Sequence, residues 1–235
     1  MSSLYFNCGS GVSGDMIVGS LLDLGCDWSI LVTELAKLGL DGYSISSRKV
    51  LKCDVAATKF DVFVKEESGK RHLQEILGII DGSTLSTEVK DLGKRIFLCL
   101  GEAEAAAHNT LLSEVHFHEV GAVDAIIDVV SASILLTEMG AEKVSCSTIS
   151  LGSGMVETSH GAFDVPAPAV RHLLRGVPTA RTSISAELTT PTGAAIISTI
   201  ATEFTDRMTD ARKTGFGAGE RDLQIPNVLE ARIID

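Results

Sequence analysis

Leu4-Tyr5-Phe6-Asn7-Cys8-Gly9-Ser10-Gly11-Val12-Ser13-Gly14-Asp15-Met16 opens the chain as a strand, a glycine-rich loop and the start of a helix. Leu4, Tyr5 and Phe6 make a short apolar, aromatic run that suits a first strand. From Met16 to Leu24 the residues Met16, Ile17, Leu21 and Leu24 trace one apolar stripe, as a packed helix requires. Ser13 stands where a helix cap belongs, and Asp15 suits the positive end of the helix dipole. With the strand and helix patterns downstream, this start predicts an α/β domain. It would be a mixed sheet with covering helices, its strand order unset by the sequence. The loop residues Gly9, Ser10, Gly11, Ser13, Gly14 and Asp15 form a candidate anion cradle. Their spacing fits neither the dinucleotide fingerprint nor the P-loop, and a tight strand-to-helix connection without ligand is the plainer reading.

Working outward, a helix over 29–37 follows, with Asp27 as its cap, then strands over 43–50 and 53–64. His72 opens a helix to Ile80. The longest helical pattern runs from Ser86 or Thr87 to Ala107. Further on, 144–151 reads as one strand, Gly152-Ser153-Gly154 as a turn into a second, 170–174 as a short helix and 194–202 as another. Pro226 to Leu229 reads as a final edge strand. Gly215, Gly217 and Gly219 imply backbone packed tightly against another strand or a ligand. No linker composition marks a boundary, so residues 1–235 read as a single domain, with room for a subdomain within 143–185.

The 235 residues carry a formal net charge of -11, with 45% apolar residues. That balance argues against a nucleic-acid backbone as partner and is compatible with a metal cation or a small anion. Five cysteines, none in a Cys-x-x-Cys pair, predict reduced thiols and a cytoplasmic protein. The sequence shows neither a signal-peptide pattern nor an apolar run long enough for a membrane helix.

The second informative stretch is Glu114-Val115-His116-Phe117-His118-Glu119-Val120-Gly121-Ala122-Val123-Asp124-Ala125-Ile126-Ile127-Asp128. His116 and His118, two apart, project to one side of an extended segment. The helix that follows places Val123, Ile126, Ile127, Val130 and Ile134 on an apolar face, with Asp124 and Asp128 one turn apart on another. Imidazoles followed by carboxylates suit a cation or an acid–base step; buried histidines satisfying backbone groups, with surface acids, are the alternative. A third stretch, Glu187-Leu188-Thr189-Thr190-Pro191-Thr192-Gly193-Ala194-Ala195, presents hydroxyls and amides before a helix. Thr189, Thr190, Thr192 and Gly193 there could seat a phosphate or a carboxylate, or simply cap the helix.

Taken together, the stretches 7–16, 115–128, 161–168, 187–195 and 215–221 resemble the nickel-pincer cofactor nickel-insertion proteins, over essentially the whole chain. The resemblance is to the N-terminal domain of such proteins. Their second, C-terminal domain, which binds CTP with magnesium or manganese, is expected to come from the same protein or a separate chain. The resemblance implies a CTP-dependent nickel cyclometallase, a lyase that inserts Ni(II) into pyridinium-3,5-bisthiocarboxylic acid mononucleotide. Its product is the nickel-pincer cofactor of lactate racemase. Many members carry a histidine-rich loop; here that position reads Ser68-Gly69-Lys70-Arg71-His72, with one histidine.

With that chemistry in view, His116, His118, Glu114 and His160 are the candidate metal ligands, with Cys8 weaker. Glu119, Asp124 and Asp128 are the candidate catalytic carboxylates, since insertion at a ring carbon must release a proton. The substrate phosphate would rest on the 9–14 loop or on 189–193. The rival readings are a metal-dependent hydrolase of a phosphorylated substrate and a non-catalytic nickel carrier or scaffold. A homo-oligomer fits any of these.

Overall fold

The computed structural model describes residues 3–65, 71–117, 123–158 and 161–234. The first strand forms as expected, β1 (Ser3–Asn7), with Leu4, Tyr5 and Phe6 buried. Helix α1 (Gly14–Asp23) follows, then α2 (Trp28–Ala36), whose start is fixed by the Asp27 carboxylate accepting the Ser29 N–H at 2.7 Å. β2 (Tyr43–Lys52) and β3 (Val55–Val64) form a hairpin. Cys53 and Asp54 are its two-residue turn, at φ 46° and 65°. Two positive φ values match the twist of paired strands, so the second strand begins after Cys53, two residues later than its apolar pattern suggested.

Next come β4 (Arg71–His72), α3 (Leu73–Gly82), α4 (Thr87–His108), β5 (His116–Phe117) and α5 (Val123–Met139). The last part holds β6 (Lys143–Cys146), β7 (Ile149–Ser153), β8 (Met155–Thr158), β9 (Gly161–Asp164), α6 (Pro168–Leu173) and β10 (Thr179–Glu187). It ends with α7 (Pro191–Ile200), β11 (Glu203–Phe204), β12 (Lys213–Ala218) and β13 (Val228–Ile234). α7 starts three residues earlier than its apolar pattern, because Pro191 fits a first helical turn where no N–H is needed.

Seven strands build the main sheet in the order β11-β6-β1-β13-β12-β3-β2. β1 runs parallel to β6 and antiparallel to β13, so the sheet is mixed. The last strand is central, not at the edge: it pairs with β1 on one side and β12 on the other. Pro226 misled that reading, since it precedes the strand and removes no ladder hydrogen bond. The run 144–151 is two strands. β6 stays in the main sheet; β7 leaves it to pair with β10. The break is pinned where Asp206 accepts the Thr148 N–H at 2.8 Å and its hydroxyl at 2.7 Å.

Helix α1 lies directly against β12, β3 and β13. Gly215 and Gly217 of β12 make this approach: a Cβ on Gly217 would stand 1.8 Å from the Met16 carbonyl oxygen. The tight neighbour of those glycines is therefore a helix rather than a strand or a ligand. α5 packs among α1, α2, α4 and α7. It is buried around nearly its whole circumference, including Ser131 and Ser133, where a one-sided stripe was expected. All five cysteines are free, and no helix among the described residues is long and apolar enough to cross a membrane.

Candidate functional site

Two glycine-bearing stretches far apart in sequence close into one wall. The Val12 N–H donates to the Leu188 carbonyl at 3.0 Å, and the Thr190 N–H donates to the Val12 carbonyl at 3.0 Å. Gly11, at φ +86°, permits the contact, since a Cβ there would meet the Leu188 oxygen at 2.0 Å. Gly193 answers it from α7, where a Cβ would lie 2.3 Å from the Val12 oxygen. Several predicted cradle residues are spent on this wall. The Gly11 N–H donates to the Cys8 carbonyl, and the Gly9 N–H donates to the Asn7 side chain at 3.2 Å. Gly9 is exposed and Ser10 half-buried, outside the cleft described next. The buried Thr189 hydroxyl donates to the Ser150 carbonyl at 2.7 Å. The Thr190 hydroxyl caps α7 by accepting the Gly193 N–H at 3.2 Å. Thr190→Ala should cost about 1 kcal/mol of stability, read as a lower denaturant midpoint at unchanged m-value.

Against this wall opens a cleft of about 390 Å³. Ser13, Gly14 and Asp15 line it from the start of α1, Asp124 and Asp128 from α5, and Thr190, Pro191 and Thr192 from α7. Lys59, Asp61, Glu187 and Glu220 complete its polar lining. The helix starts are met by the protein's own side chains. Asp128 accepts the Asp15 N–H, and Asp124 accepts the Ala125 N–H at the start of its own helix. Ser13 precedes α1, but its hydroxyl goes to the Asp15 carboxylate and not to a helix N–H.

Asp128 is the most perturbed acid of the cleft. Burial first, then the charges of Asp15 and Asp124, push its carboxyl well above the usual carboxylate range; nearby Lys59 only partly offsets them. Its Oδ1 is shut off from solvent and has no hydrogen-bond partner among the described residues. A buried carboxylate oxygen without a donor costs free energy and is a strong proton acceptor. Gly14 makes room for it: a Cβ on Gly14 would stand 2.5 Å from Asp128 Oδ2. Asp124 is more exposed, and partial desolvation also raises its carboxyl. Across the cleft, the Lys59 ammonium pairs with Asp15 and Glu220. Burial lowers its proton affinity, but Asp15, then Glu220 and Asp61, outweigh that and hold it above the ordinary lysine value.

The histidine segment lies apart from this lining. His116 is exposed on β5, paired in register with His72 of β4, the ring centroids 5.8 Å apart. Glu114 accepts the Thr110 hydroxyl at 2.8 Å and the Leu111 N–H at 3.4 Å, closing a short 3-10 turn. Cys8 sits in the hydrophobic core, its thiol raised by contact with Cys146 and by burial. His118, Glu119 and His160 lie outside the described residues, as do Ser68, Gly69 and Lys70. Among the described residues, no three His, Cys, Asp or Glu side chains are arranged to hold a metal ion.

Of the expected residues the cleft lining holds Ser13, Gly14, Asp15, Asp124, Asp128, Thr190 and Thr192; Lys59, Asp61, Glu187 and Glu220 were not among the candidates. The signal for two of them was present: Lys59 and Asp61 alternate with Phe60 and Val62, and period two puts the charged pair on one face. Glu187 and Glu220 reach the cleft from the end of β10 and from a loop, which no periodicity marks.

The profile of the family described as nickel insertion protein matches residues 4–234. The chain belongs to the nickel insertion protein family. It is 45% identical over 235 residues to a putative nickel insertion protein of Dictyoglomus thermophilum, covering 99% of this chain and 61% of that protein. It is 44% identical over 234 residues to the pyridinium-3,5-bisthiocarboxylic acid mononucleotide nickel insertion protein of Desulfitobacterium hafniense strain DCB-2, covering 99% and 58%. The protein of that same name from Staphylococcus epidermidis strain ATCC 12228 is 40% identical over 228 residues, covering 97% and 58%. The chain thus spans about three fifths of the length of the curated relatives it matches. No solved structure matches it.

Proposed function

We propose that this chain is the nickel-inserting part of a CTP-dependent cyclometallase acting on pyridinium-3,5-bisthiocarboxylic acid mononucleotide. Relatives that carry this substrate in their names support the reading. The observation that carries it is the Asp128 carboxyl, one oxygen of which has no partner among the described residues, at the wall of an acidic cleft. The substrate's pyridinium ring and Ni(II) are both cations, and the charge of Asp15, Asp61, Asp124, Asp128, Glu187 and Glu220 favours bringing them together. Nickel joins the two thiocarboxylate sulfurs. The electron pair of the ring C–H bond becomes the carbon–nickel bond, and the proton passes to the Asp128 carboxylate. Asp124 keeps that carboxyl basic through its own charge. Thr190 and Thr192 face the substrate at the α7 start. The segment holding His116, His118, Glu114 and Glu119 leads into α5 and, with His160, handles incoming nickel. CTP, with magnesium or manganese, is used by the C-terminal domain of the same or a separate chain. The product matures lactate racemase-type enzymes in the cytoplasm.

The test mixes the purified chain with nickel, the dithiolated mononucleotide, CTP and magnesium, with and without the C-terminal portion of a relative. Nickel-pincer product, followed by mass spectrometry, is expected only when both portions are present. Hydrolysis of phosphate esters by this chain alone would overturn the proposal, and stoichiometric nickel uptake without product under all conditions would reduce the chain to a carrier.

A further inference from the structure

Lys59 projects from β3 into the cleft and is only 5% exposed. An ammonium donates three hydrogens. One partner is the Asp15 carboxylate, which Ser13 also holds. A second is the Phe60 carbonyl at 3.2 Å, fixed by the strand itself. The third is Glu220 Oε2 at 3.2 Å; Asp61 Oδ1, at 3.7 Å, adds charge beyond hydrogen-bond reach. Glu220 differs from the others. Its side chain is 82% exposed, it comes from the loop between β12 and β13, and its carboxylate makes no other hydrogen bond or ion pair among the described residues. Ion pairs with one partner in water are weakly held. Among the described residues lining the cleft, Lys59 is the only cationic side chain. Glu220 also borders a smaller cavity of about 130 Å³ beside Arg221 and Asn227, so it stands where the two spaces meet.

We propose that Lys59 is the seat of a carboxylate-type group of the substrate, which displaces the Glu220 carboxylate on binding. This rests on the function proposed above and adds a positioning residue to it. The seat already holds a planar monoanion, and Asp15, Asp61, Asp128 and Glu187 around it oppose a phosphate dianion. On a thiocarboxylate the hard oxygen takes the ammonium and leaves the softer sulfur for nickel. One contact thereby fixes which way the ring faces Asp128.

The test compares wild type, Glu220→Gln and Lys59→Met for binding of pyridine-3,5-dicarboxylate and of ribose 5-phosphate, without nickel or CTP. Titration calorimetry gives the affinities, and the Lys59 side-chain nitrogen resonance gives the contact. Dicarboxylate is expected to bind Glu220→Gln about 2- to 5-fold more tightly, since a competing ion pair is gone. It should bind Lys59→Met about 10-fold or more weakly, and shift the Lys59 resonance in wild type. Equal dicarboxylate affinity in wild type and Glu220→Gln, an unmoved Lys59 resonance, or a gain for ribose 5-phosphate instead would each overturn the proposal. Should Lys59→Met fail to fold, Glu220→Gln and the resonance decide alone. Because the probe needs no nickel chemistry, the proposed activity can fail while the anion seat stands.

Discussion

Asp128→Asn is expected to give a protein that melts higher than wild type and, under the proposed function, a complete system that inserts nickel far more slowly. Burial and two neighbouring acids raise the Asp128 carboxyl well above its ordinary value of 3.8. Between 3.8 and the raised folded value, the folded state binds the proton that the unfolded state has released. Stability therefore falls as pH rises through that window, and the full penalty persists above it. Asparagine removes the charge, can still accept the Asp15 N–H, and offers an N–H to the acids beside it. Relief of an unpartnered buried oxygen is worth roughly 1–3 kcal/mol. For a chain of this size that is about 2–10 °C in melting temperature. Nickel insertion by the complete system should fall by about 10²–10⁴ if the proton acceptor is gone. Melts at pH 3.5 and pH 7.5 check the first half: the gain should be smaller at the lower pH than at the higher. A variant no more stable at pH 7.5 would show that Asp128 is not a stressed acid, and one that still inserts nickel at the wild-type rate would remove it from the chemistry.

The β1–loop–α1 start was legible because its signals are local: an aromatic strand, glycines, then a 3.6-residue stripe. That Asp128 would stand beside Asp124 was legible because it recurs one helical turn later on a helix that is otherwise apolar, and both line the cleft. What could not be read was where the loop's donors and acceptors go. Gly9, Gly11 and Gly193 look like an anion cradle in sequence, yet in three dimensions they fit Asn7, Leu188 and Val12. That depends on a parallel bridge between Val12 and Thr189, which no short-range pattern encodes. Lys59 and Glu220 meet only because β3 and β12 are neighbours in the sheet, so strand order decides the site's electrostatics.

Strand order also decides the largest stability effect. Gly217→Ala should cost about 3 kcal/mol or more, although it adds a single methyl group. The added Cβ would stand 1.8 Å from the Met16 oxygen and 2.5 Å from the Ser20 nitrogen, both backbone atoms of α1. The helix has little freedom to retreat. Gly19, one turn after Met16, faces the Thr58 oxygen at 2.4 Å from its own virtual Cβ, and Gly14 faces Asp128. Moving α1 off β12 would therefore push it against Asp128, so the cleft should loosen with the fold. Gly78, inside α3 with nothing within 4 Å of a virtual Cβ, is the matched control. There the same substitution should stabilise by roughly 0.5–1 kcal/mol, because alanine is the better helix former. Opposite signs for one chemical change, measured in parallel denaturant melts, would tie the glycine of β12 to close helix-on-strand packing. A Gly217→Ala protein as stable as wild type would mean that α1 does not rest on β12, and the cleft geometry built on that contact would fall with it.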